Sequence, residues 1–126
     1  MRWLVHGSVT DAAAEALRRH GDQATRAAEA GVAEGAYPVD ILKLAETKQL
    51  DIVTADAAFA GAPYQLRIPF NRSIVFLQLA GGDVEQDDAI DRLYERYKRL
   101  TPGRLYTVTE NRVKVRQLPQ RPPRQG

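Results

Sequence analysis

Apolar residues fall into two kinds of pattern along this chain. Short unbroken runs, Trp3-Leu4-Val5, Ile52-Val53 and Ile74-Val75-Phe76-Leu77, suit strands buried on both faces. Between them, apolar positions recur at helical spacing: Ala13, Ala16 and Leu17; Ile41, Leu42 and Ala45; and Ala89, Ile90, Leu93, Tyr94, Tyr97 and Leu100. Polar punctuation marks the ends. Thr10 is a good N-cap with Asp11 in the first turn, and Gly21 stops that helix after His20. Pro38 suits the first position of a second helix, with Asp40 in its first turn. Asp83 and Gln86 have capping-box spacing for the last helix.

Gln23 to Arg26 reads as a further short strand and Gly31 to Gly35 as a loop. Ala60-Gly61-Ala62-Pro63 reads as a turn. Arg104–Thr109 and Arg112–Gln117 flank Glu110-Asn111 as the arms of a β-hairpin, with Val113 and Val115 toward the protein and Lys114 and Arg116 outward. Strands alternating with helices imply βαβ units and a mainly parallel sheet, with the hairpin as an added edge.

A length of 126 residues supports one domain with a real core. The mix of 44% hydrophobic and 27% charged residues excludes a disordered chain. No apolar run approaches the roughly 20 residues that span a bilayer, and Trp3-Leu4-Val5 reads as a strand instead of a signal peptide. Without cysteine there is no disulfide framework or thiolate site, which fits a cytoplasmic protein. Net charge is only +2, yet residues 111–126 hold Arg112, Lys114, Arg116, Arg121 and Arg124 and no carboxylate. That segment is either a solvated basic surface or a contact for phosphates or an acidic partner.

The most informative stretch runs from Asp51 to Phe59. Thr54 and Asp56 follow Ile52-Val53 at what is the strand's carboxyl end, where α/β sheets place their ligands. A carboxylate there can hold a metal, accept a phosphoryl group or cap the next turn. A receiver-type phosphoacceptor needs an acidic pair after the first strand and a lysine after a late one. His6-Gly7-Ser8 and Leu79-Ala80-Gly81-Gly82 supply neither. No Gly-x-Gly-x-x-Gly follows the first strand, which argues against a dinucleotide site.

In that order the segments resemble the PIN-like family, in particular the small bacterial branch related to VapC-type toxin ribonucleases. The matching segments are Leu4-Val5 with its polar turn, Asp40 to Ala45, Ile52 to Phe59, and the ending Gly103 to Val108 through Arg112 to Arg116. The resemblance implies a three-layer α/β fold over residues 1–119, with a mainly parallel central sheet, helices on both faces and a C-terminal β-hairpin. Residues 120–126 form a mobile Pro- and Arg-rich tail on this reading.

The activity it implies is metal-dependent endoribonuclease chemistry with Mg²⁺ or Mn²⁺. Such cations take hard oxygen ligands and activate a bound water against phosphate. Carried over, Asp40 and Asp56 are metal ligands and catalytic residues, His6 is an atypical third catalytic group, and Thr54 and Ser8 are site hydroxyls. Arg112, Lys114 and Arg116 are nucleic-acid contacts. Single-stranded RNA, an antitoxin-like protein and a second copy of the chain are the implied partners. The chain departs from the family twice: His6 stands where an acid ends the first strand, and Ala58 stands two residues after Asp56. Imidazole suits softer cations than Mg²⁺. A PIN-like module that binds nucleic acid or protein without catalysis is therefore the alternative.

Overall fold

A computed structural model describes residues 1–121. These residues form strands β1 (Arg2–His6), β2 (Gln23–Arg26), β3 (Asp51–Thr54), β4 (Ile74–Leu77), β5 (Arg104–Val108) and β6 (Val113–Gln117). The helices are α1 (Asp11–Arg19), α2 (Pro38–Lys48), α3 (Ala57–Gln65) and α4 (Asp83–Arg96). The strands make one sheet in the order β2-β1-β3-β4-β5-β6, parallel throughout except for β6, which runs antiparallel to β5. Most of the tail expected at 120–126 lies outside the described residues. Among the described residues no helix is long and apolar enough to cross a membrane.

Alternation along each strand divides the core in two. Val5, Val53, Val75 and Tyr106 point to one face, where they pack with Ala13, Ala16 and Leu17 of α1 and Ala89, Ile90 and Leu93 of α4. Leu4, Ile52, Ile74 and Leu105 point to the other, against Ile41, Leu42 and Ala45 of α2 and Phe59 and Ala60 of α3. β3 and β4 are fully buried, as their unbroken apolar runs require.

Chain direction and face together fix the handedness of the crossovers. The chain steps from β1 leftward to β2 over the α1 face, then rightward to β3 and β4 over the opposite face, which gives these three connections the same hand. The step from β4 rightward to β5 returns to the α1 face through α4, so this crossover has the opposite hand. About 98% of such crossovers are right-handed, so one of opposite hand to its three neighbours is a distinctive feature.

Local details also differ from expectation. Thr10 caps α1 through its side chain, but Gln86 does not complete a capping box. Its Oε1 instead accepts the Thr10 backbone N–H at 2.8 Å, which ties the start of α4 to the start of α1. The stretch Ala60-Gly61-Ala62-Pro63 is not a turn but the body of α3. Phe59, Ala60, Ala62 and Pro63 are buried there, and that packing overrides the low helix propensity of Gly61 and Pro63.

Candidate functional site

The carboxyl end of β3 sits between two strands whose following loops leave toward the opposite face. β1 and β4 lead to α1 and α4 on one side, and β3 leads to α3 on the other. Such divergence opens a crevice at the rim of the sheet. His6 ends β1 and pairs in register with Thr54, the last residue of β3. Both follow Leu4 and Ile52 by two residues, so both side chains fall on the α2–α3 face.

One hydroxyl organises this rim. Thr54 is fully buried, and its Oγ1 lies 2.9 Å from His6 Nδ1 while accepting the Asp56 backbone N–H at 3.1 Å. The half-buried His6 ring stacks on Phe59, with centroids 4.3 Å apart and planes 29° from parallel. Burial pushes the imidazole pKa below its ordinary 6.5, with the Asp56 charge pulling weakly the other way, so the ring is neutral at pH 7. Asp56 is exposed and is the N-cap of α3. Its Oδ1 accepts the N–H groups of Ala58 at 2.9 Å and Phe59 at 3.2 Å. His6 Nε2 and Asp56 Oδ2 are the ring nitrogen and carboxylate oxygen that these contacts do not engage.

Of the other expected site residues, Ser8 is exposed in the turn after β1. Asp40 is exposed in the first turn of α2 and lines a groove of about 390 Å³ beneath residues 31–37. His6 lines a neighbouring groove of about 470 Å³ that shares Val32 to Ala36 and Ile41 with it. Among the described residues no three His, Asp or Glu side chains stand close enough to share a metal ion, so His6, Asp40 and Asp56 do not form a ligand trio. What the rim offers, one imidazole nitrogen and one carboxylate oxygen, does not fit Mg²⁺, which takes oxygen ligands in an octahedral shell. Asp40 makes no capping contact: the N-cap of α2 is Tyr37, and Asp40 lies in the first turn, where the helix dipole favours a carboxylate.

The basic residues lie elsewhere on the same face. Lys114 and Arg116 pair in register with Thr107 and Leu105, and Leu105 packs into the α2–α3 core. Arg116 extends over the ring of Tyr64, with Cζ 3.7 Å from its centroid, and the Tyr64 hydroxyl donates to the Gln117 carbonyl at 3.1 Å. The expected arrangement, valines inward and bases outward, holds for Val113, Lys114 and Arg116 but not for Val115. Val115, one strand position pair further along β6, is exposed. Tyr64 was hidden from sequence reasoning, since the segment after Phe59 was not read as helix.

A second group, whose acids at the start of the last helix read in the sequence as a solvated face, lies beside β4 and β5. Glu85, Asp88 and Glu110 line a groove with Arg92, whose guanidinium donates twice to the Thr109 carbonyl at 3.1 and 2.7 Å. No family model matches the chain, and no curated protein or solved structure matches it.

Proposed function

We propose that this chain is a PIN-like module that binds single-stranded RNA without hydrolysing it. The observation that carries this reading is the state of His6. At the position where the resemblance calls for an acid, the ring is fastened by Thr54 and Phe59 and kept neutral by burial. Asp56, the remaining carboxylate of the rim, holds the start of α3 through two backbone N–H groups. Both residues thus serve the architecture of the rim, and a neutral imidazole edge remains to donate to or accept from a ligand.

Charge supports the nucleic-acid side. Residues 57–82 and 111–126 contain no Asp or Glu, so α3, the loop after it and β6 form a surface on which phosphate meets no repulsion from its own segment. Arg112, Lys114 and Arg116 are exposed there, and the Arg116–Tyr64 pair presents a planar cation on which a base can stack.

The test is fluorescence anisotropy of a labelled single-stranded RNA over a salt series, with the RNA run on a gel afterwards in Mg²⁺ and in Mn²⁺. Binding should weaken steeply with salt, and the RNA should remain intact. Changing Arg112, Lys114 and Arg116 to Gln should lower the log–log salt slope by about 2, from about 0.7 per lost phosphate contact. Cleavage in Mn²⁺ that disappears in Asp56→Asn would overturn the binding reading in favour of the nuclease. Absence of any RNA binding would overturn both.

A further inference from the structure

A cavity of about 620 Å³ lies at the other end of the sheet, around the amino ends of β3 and β4, away from the His6 rim. We propose that it binds a small molecule carrying a phosphate monoester. This inference does not depend on the RNA reading.

Two carboxylates line the cavity, and both are already engaged. Asp51 is almost fully buried and accepts the Ser73 N–H at 2.9 Å and Arg72 Nη2 at 3.0 Å. Asp22 accepts the Trp3 indole N–H at 2.9 Å and the Tyr94 hydroxyl. Three basic side chains share the same lining: Arg72, Lys98 and Arg99. Lys98 and Arg99 are exposed and have no carboxylate within 4.0 Å among the described residues. Arg72 keeps a buried Nε with no acceptor, so the protein does not saturate its guanidinium. The His20 and Tyr94 rings, stacked with centroids 4.6 Å apart, add a flat wall.

A cavity of this volume is in the range of small-molecule sites. Its carboxylates are internally satisfied and its cations are in excess, so the ligand charge it favours is negative. Phosphate offers several strong acceptor oxygens to Lys98, Arg99 and the exposed part of the Arg72 guanidinium. Bases at this point also complement the carbonyl end of α4. That role explains Lys98 and Arg99 but not the unsatisfied Arg72, which belongs to the approach to β4.

The experiment is isothermal titration of the full chain at constant ionic strength with inorganic phosphate, adenosine monophosphate and adenosine. The parent should bind the first two and not adenosine. A Lys98→Ala/Arg99→Ala double variant, altered only at exposed positions, should bind at least about tenfold more weakly, as loss of a charge-assisted contact implies. Its thermal midpoint without ligand should fall by no more than several degrees, the cost of two charges lost near the end of α4. Equal phosphate affinity in parent and variant, binding of adenosine alone, or no phosphate binding by the parent would each overturn the proposal.

Discussion

Thr54 joins three parts of the rim through one oxygen: the end of β1, the end of β3 and the start of α3. Thr54→Val keeps the shape and removes the hydroxyl, leaving His6 Nδ1 and the Asp56 N–H without this partner. The expected loss is about 1–2 kcal/mol in chemical denaturation. His6 adds a pH signature. Its folded pKa lies below the ordinary 6.5, so the unfolded chain takes up the proton first as pH falls. Stability should be level above that pH, decline as pH drops from 6.5 toward the folded value, and flatten below it; His6→Gln should remove that decline. Thr54, Asp56 and His6 were legible as polar residues after apolar runs. Asp51 was not, because nothing local marks it as the buried partner of Arg72 and the Ser73 N–H, 21 and 22 residues later.

Among the elements, α3 is the informative one. Gly61 and Pro63 in its body are poor helix formers, and it forms because Phe59, Ala60, Ala62 and Pro63 find a buried face against the sheet while Asp56 caps its start. A β-carbon at Gly61 would meet only the Gln65 side chain at 3.6 Å and beyond, an ordinary contact. Gly61→Ala should therefore stabilise the protein by about 0.5–1 kcal/mol, readable as a shift in denaturant midpoint. The other helices were legible because their apolar spacing and caps agree with each other. In α3 the Gly and Pro signals pointed to a turn, and only tertiary packing decides against them. Gln86 is the parallel case in α4: its spacing suits a local box, but the Thr10 N–H offers a partner across the α1–α4 contact.

At the scale of the whole molecule, alternation of strand and helix was enough to read a mainly parallel α/β sheet with helices on both faces, which the structure shows. The reversed hand of the β4–α4–β5 crossover was not readable, because periodicity says which stripe of a helix is buried and not which face receives it. The packing supplies a reason. Phe70 and Leu118, from segments outside the helices, join Leu105 in filling the α2–α3 core, while the small side chains of α1 leave α4 a close seat on the other face. With α4 withdrawn, α3 and the basic side chains of β6 share an open face free of carboxylates in their own segments. The most direct test of that face as the RNA surface is backbone chemical-shift mapping of the isotope-labelled protein during titration with single-stranded RNA. The account predicts shifts concentrated at Tyr64, Lys114, Arg116 and the His6 rim. Shifts confined to the α1–α4 face, with these residues unmoved, would contradict it.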